Sequence, residues 1–401
     1  MSFFKDTLWF ATSKASMGLA NFIIITLVMI LYGDKVYSDY STAIAYIFMI
    51  VPFSVGWVNQ SYIRIYQQKK EEKSVIFGSA LSVNILTLSM LSIASFYGFR
   101  LERYLNLMTY LFFVILYGLN LFFVVHLQAS MQSRKLALVE ISRSVLLLLF
   151  FVCSIYIYES PFFPWILSFS ITSFLFFYII RKDELILKLH FNMDCIRFFF
   201  KYGSGISLWF GAFLIIPVVD RELLSYRVDA EVRGLYFIML DFCNRIYGLL
   251  ISPVVMALLS HGFKLKNDGV KIEDIDSFII SKLKIVSLFG VPLSFLAATA
   301  CYLYTFVYLG KESKDASAIL LVLVYSFVGY FWQVSMICQK FLEFRSKVYL
   351  MAFFMTISVV AIFFIESFFI KKTDWYMYFG VIQILISIMY SSSCYLFRNR
   401  L

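Results

Sequence analysis

Charged side chains stranded inside apolar runs are the residues of this sequence best placed to do chemistry. Lys14 and Arg143 each lie ~10 Å inside the run that holds them, by the 1.5 Å rise of a helix. A charge at the centre of a bilayer costs ~3 kcal/mol on insertion scales, so such groups belong in a bundle interior. Together they would make a cationic wall for a phosphate or diphosphate in a water-filled cavity open to the cytoplasm; snorkelling to the interface is the structural alternative. Glu140, three residues before Arg143, compensates it in part. Arg64, in NQSYIRIY, either joins that wall or anchors the inner edge. Asp241 and Arg245 stand four apart on one helical face, either a mutually neutralised pair or a substrate or ion site. Asp220 and Arg221 begin the charge-rich stretch DRELLSYRVDAEVRGLYFIML, whose bland reading is a solvated loop.

The elements that must position these residues are membrane helices. The chain has 401 residues, 61% of them hydrophobic and 20% aromatic, and a soluble protein of that composition would expose large apolar patches. Its apolar runs reach the ~20 residues that a helix needs to cross ~30 Å of hydrocarbon, and the ten-residue alternation of a membrane β-barrel is missing. The pattern predicts an all-α polytopic protein with spans at 8 to 32, 40 to 63, 75 to 98, 105 to 127, 137 to 158, 162 to 180, 202 to 219, 234 to 259, 285 to 309, 316 to 338, 348 to 370 and 375 to 397. Placing both termini in the cytoplasm puts 22 Lys and Arg inside, 10 outside and three within spans. That asymmetry orients the chain, and the net charge of +10 then reads as a basic face toward anionic lipid, with no nucleic acid required.

Several chemistries have no support. There is no phosphate loop of the G-x-x-x-x-G-K-[ST] type, and the G-x-G of YGSG, Gly203 to Gly205, reads as helix packing. His126, His190 and His261 are scattered, no serine sits in G-x-S-x-G, and six cysteines lack C-x-x-C spacing. Neither a metal nor a cofactor is expected. The longest outer connection, 220 to 233, is too short for a catalytic domain, which disfavours a membrane polymerase or ligase.

The chain also has an internal period. Val36 to Tyr40 and Val232 to Tyr236 share V-x-x-x-Y, each after an Asp (Asp34, Asp229) and each opening an even-numbered span. Six spans separate them, so the expected organisation is an N-terminal lobe over 1–180, a cytoplasmic linker over 181–201 and a C-terminal lobe over 202–401. Between 260 and 284, Ile272, Ile275, Ile279 and Leu283 recur at helical spacing, which predicts either a short helix on the membrane surface or a solvated loop.

The stretch from 220 onward resembles the seventh-to-eighth span junction of polysaccharide-repeat flippases in the multidrug/oligosaccharidyl-lipid/polysaccharide exporter superfamily. The matching residues are Asp220, Arg221, Leu223, Leu224, Glu231, Val232, Gly234 and Tyr236. VYSDYSTAIAYIFMIVPF resembles the start of their second span, although Ser41 stands where the family commonly has Gly. The resemblance implies two six-helix lobes around a central cavity, in a bacterial inner membrane, moving an undecaprenyl-diphosphate-linked oligosaccharide from the cytoplasmic to the periplasmic leaflet by alternating access. It implies an H+ or Na+ gradient as energy source, and membrane lipids and other polysaccharide-assembly proteins as partners. On this reading Lys14, Arg64, Arg143 and Arg245 bind substrate, while Asp220, Arg221 and Asp241 couple or gate. The alternative within the superfamily is a drug or small-cation antiporter leaning on Asp241.

Overall fold

The computed structural model describes residues 3–399 except 69–71, 131, 158–159, 183–188, 190, 226–227, 310–316 and 371–374. Most of the 181–201 linker therefore lies outside the described residues, as do Arg227 and the side chain of Glu231.

Among the described residues all regular structure is helical: α1 (Phe3–Gln68), α2 (Lys73–Gly98), α3 (Leu107–Ala129), α4 (Ser133–Ile157), α5 (Phe163–Lys182), α6 (Met193–Ser225), α7 (Ala230–Asn267), α8 (Ile272–Tyr302), α9 (Ser317–Cys338), α10 (Lys340–Glu343), α11 (Val348–Phe369) and α12 (Trp375–Leu396). Eleven of these are long and apolar enough to cross a membrane. Helix α1 runs for 66 residues, about three times the ~20 that hydrocarbon requires. It is broken at Gly33, whose φ of 78° and ψ of 177° fall in a region that essentially only glycine occupies. Counted on either side of Gly33, α1 supplies the first two of the twelve spans. The chain is a multi-pass membrane protein.

By contacts the chain forms two compact units, one of Met1–Leu31 with Asp39–Val218, the other of Tyr32–Ser38 with Val219–Leu401. Packing thus groups α6 as far as Val218 with α1 to α5, a different division from the 1–180 and 202–401 lobes drawn from the sequence. Close backbone approach explains it. A Cβ on Gly203 would collide with the carbonyl of Trp57, Ser207 donates to Phe53 O at 2.9 Å, and Ser61 donates to Phe199 O at 3.1 Å. Gly203 therefore serves helix packing, as its place in YGSG implied. The core of the first unit gathers Tyr62, Phe77, Phe122, Phe176 and Phe199; that of the second gathers Tyr247, Ile251, Ile279, Ile337 and Phe341.

The segment from 272 to 283, expected as a surface helix or a solvated loop, is instead the first part of α8, continuous with its membrane span. Ile275 and Ile279 are buried in the core of the second unit. Asp276 fixes this register, taking two bonds from Arg345 at 2.6 and 2.9 Å and a third from Arg398 at 3.2 Å. An apolar stripe at helical spacing looks alike whether it meets lipid or a neighbouring helix, and here the neighbours are α7 and α9.

Each unit repeats one aromatic arrangement. In the first, Tyr40 opens the second span and accepts a bond from Trp165 Nε1, at the start of α5, at 2.9 Å. In the second, Tyr236 packs on Trp375, the first residue of α12, with ring centroids 5.4 Å apart. The tyrosine of each V-x-x-x-Y thus meets the tryptophan that opens the sixth span of its half.

Candidate functional site

Two clusters of ionisable side chains within the spans, one in each unit, contain most of the residues that the sequence singles out. The first is built on α1 and α4. The two helices meet at this level, where Ser144 Oγ, one residue after Arg143, reaches Ser16 Oγ, two residues after Lys14, at 3.5 Å. Arg143 and Glu140 form an ion pair on one face of α4, each side chain 8% exposed. Arg143 also lies 5.4 Å from the Phe169 ring, a cation–π contact that holds the guanidinium from its other side. Lys14 is exposed, lies within electrostatic reach of Glu140 and Arg143, and hydrogen-bonds to no described residue. Nearby hydroxyls are Ser144, donating to Glu140 O, and Tyr117. Arg143 Nε and Glu140 Oε1 are buried without a partner among the described residues. The partial compensation of Arg143 expected from Glu140 is a direct ion pair, because an i, i+3 spacing brings the two side chains together.

Arg64 is not part of this cluster. Its guanidinium stacks over Tyr202 of α6 at 4.5 Å, at the far end of α1.

The second cluster begins where the sequence suggested a loop. Asp220 and Arg221 lie inside α6, which continues to Ser225, and they are 1% and 3% exposed. Adjacent helical positions point about 100° apart, so the two side chains serve different neighbours. Arg221 donates to Asp241 Oδ1 at 2.6 Å and lies 4.9 Å from the Phe237 ring. Tyr37, fully buried, donates to Asp241 Oδ2 at 2.9 Å. Asp241 thereby gives its carboxylate to Arg221 and Tyr37, while Arg245, the other half of the possible pair, is half-buried and close enough to influence Tyr37 electrostatically. The backbone of Asp34 lies against Gly234, with its carbonyl 3.0 Å from where a Cβ would be, so a side chain at 234 would press on the segment after Gly33.

Asp220 faces the other way. Gln383 Nε2 donates to Asp220 Oδ2 at 2.7 Å and approaches Glu366 Oε1 at 3.3 Å. Asp220, Glu366 and Gln383 are all at most 2% exposed, and Asp220 Oδ1 and Glu366 Oε2 have no partner among the described residues. Two adjacent buried carboxylates cannot both stay charged unless a proton or a cation sits with them. Tyr236 and Tyr325 close the site with their rings edge to face at 5.0 Å.

Glu366 and Gln383 were missed by the sequence reading. Glu366 was visible as an isolated acid in AIFFIESFFI; Gln383 and Tyr37 left no comparable signal. Their roles come from neighbours brought together by α6, α7, α11 and α12. Among the described residues no group of three or more His, Cys, Asp or Glu is placed to hold a metal ion.

The order of the helices is shared with solved structures, and the likeness is one of fold. The fold is that of the MATE family transporters of the MOP superfamily. A multidrug resistance MATE family transporter in its outward-facing conformation superposes with a TM-score of 0.74 at 12% identity, covering 99% of this chain and 94% of that one. An inward-facing conformation gives 0.70 at 13%, covering 97% of each chain. A MOP superfamily transporter from Pyrococcus furiosus, described by a reverse polarity of its binding pocket that suggests a different function, gives 0.66 at 14%, covering 99% and 94%. No family model and no curated protein matches the sequence.

Proposed function

We propose that this chain is a flippase that carries an undecaprenyl-diphosphate-linked oligosaccharide repeat unit from the cytoplasmic to the periplasmic leaflet of a bacterial inner membrane by alternating access. The observation that supports this reading most is the gathering of two cations, Lys14 and Arg143, around a single carboxylate, Glu140, that is paired with Arg143. An exposed ammonium so far along a span is costly against acyl chains and stable beside water, so the face bearing Lys14 lines a hydrated space. A net positive, partly hydrated site suits a diphosphate, while the polyprenyl tail stays in lipid and the sugar hydroxyls exchange water for polar protein groups.

The energy source we assign to the second unit. Asp220 and Glu366, bridged by Gln383, would take up a proton or Na+ and release it on the other side, with Arg221, Asp241 and Tyr37 as the adjoining gate. Arg245 is a further candidate contact for the substrate, and Arg64 an anchor at the end of α1.

A drug or small-cation antiporter is the second reading, favoured by the buried carboxyl pair and by the multidrug transporters among the structural neighbours. Deleting the gene separates the two. A flippase deletion leaves lipid-linked repeat units unextended on the inner leaflet, whereas an antiporter deletion leaves surface polysaccharide normal and changes drug susceptibility.

A further inference from the structure

We propose that Glu140 is an internal stand-in for the substrate's diphosphate. It occupies Arg143 when the site is empty, and it transfers to Lys14 when a diphosphate takes Arg143. This inference rests on the reading of the chain as a carrier of a diphosphate-linked lipid.

Three features of the first cluster point to exchange over a fixed structural bridge. Glu140 and Arg143 are on one helix three residues apart, so the pair opens by side-chain rotation without displacing α4. The pair is incompletely satisfied, with Glu140 Oε1 and Arg143 Nε both buried and lacking partners among the described residues, whereas buried ion pairs that only hold a fold together use their remaining bonding capacity. Finally, a second donor for the carboxylate is already in place. Lys14 lies within electrostatic reach of Glu140 and has no hydrogen bond to a described residue.

The two cations then have separate roles. The planar fork of Arg143, steadied by Phe169, matches diphosphate oxygens two at a time. Lys14, a compact charge on a flexible stem, follows the displaced carboxylate. Charge is conserved through the exchange: two cations and one carboxylate are present before, and the same three groups with the incoming diphosphate after. Release of the diphosphate returns Glu140 to Arg143, which prevents the site from holding its product.

The test is a double-mutant cycle read by binding of undecaprenyl diphosphate to the purified full chain in nanodiscs of zwitterionic lipid. Glu140→Gln removes the competitor, and binding tightens roughly tenfold, the value of one charge-assisted bond. Lys14→Ala leaves Glu140 without a destination and weakens binding by a similar factor. The deciding measurement is the pair together: Lys14→Ala with Glu140→Gln binds as tightly as Glu140→Gln alone. A double variant as weak as Lys14→Ala would show that Lys14 holds the diphosphate itself and would overturn the exchange. Lys14 is exposed, so its removal leaves the packing intact, and Glu140→Gln preserves side-chain shape. Absence of any binding by the unaltered chain would instead overturn the diphosphate reading, and the exchange with it.

Discussion

Arg221 on α6 donates to Asp241 on α7 at 2.6 Å, and Tyr37, four residues beyond the Gly33 break in α1, donates to the other oxygen of the same carboxylate at 2.9 Å. One aspartate thus ties three chain segments of the second unit, and the segment it captures, Tyr32–Ser38, is continuous on both sides with chain belonging to the first unit.

Neutralising that aspartate takes from a buried guanidinium the carboxylate it bonds. Asp241→Asn leaves Arg221, 3% exposed, without its anion, which is expected to destabilise the protein by about 3–5 kcal/mol. Tyr37→Phe removes a single bond to a charged group and is expected to cost about 1.5–3 kcal/mol. Reversible unfolding in mixed micelles measures both. Equal losses would mean that Arg221 finds another anion and that the tie is not centred on Asp241.

The carboxyl pair makes a separate prediction. Asp220→Asn and Glu366→Gln each keep one carboxyl beside Gln383 but remove the need for a proton or cation between two charges. Gradient-driven transport is expected to fall at least about tenfold, within the range of coupling energies between linked sites, while exchange without a gradient persists. Proteoliposomes with imposed proton or sodium gradients report this directly, and unchanged gradient dependence in both variants would remove the pair from coupling.

Much of the fold was legible in hydropathy. Eleven membrane-length helices stand where twelve spans were expected, and the difference is the unbroken counting of α1 across Gly33. The V-x-x-x-Y period likewise led to Tyr40 and Tyr236, which meet Trp165 and Trp375 in matching places. The candidate sites were less legible. Polarity alone made a loop of Asp220 and Arg221, because charge on a helix buried by its neighbours resembles charge in water until the partners are known. Those partners lie far along the chain, with Gln383 163 positions from Asp220 and Tyr37 204 from Asp241. Local spacing did reveal Glu140 beside Arg143, since three residues suffice to define that pair.

Close packing of α6 on α1 is testable at one atom. Gly203→Ala places a methyl group against the backbone carbonyl of Trp57, which cannot rotate away as a side chain can. Overpacking of this kind costs about 1–3 kcal/mol, so the variant is expected to lose thermal stability. Gly248→Ala, where a Cβ meets nothing within 4 Å, provides the comparison and should be at least as stable as the unaltered protein, since alanine favours a helix over glycine. Equal melting temperatures would mean that α6 is not seated on α1 at Gly203.

At the other end of the second unit, Asp276→Asn strips the anion from Arg345 and Arg398 together. The expected loss is about 3–5 kcal/mol, with faster hydrogen exchange in the first turns of α8. Unaltered exchange there would show that Ile275 and Ile279 alone hold this segment.

Transbilayer movement in proteoliposomes containing the purified chain, a fluorescent polyprenyl-diphosphate oligosaccharide and, separately, a cationic dye is the deciding measurement for the flippase assignment. A flippase carries the lipid-linked saccharide across, driven by a proton or sodium gradient and abolished by Arg143→Gln, and leaves the dye in place. Movement of the dye with the saccharide left on its original leaflet would contradict that assignment.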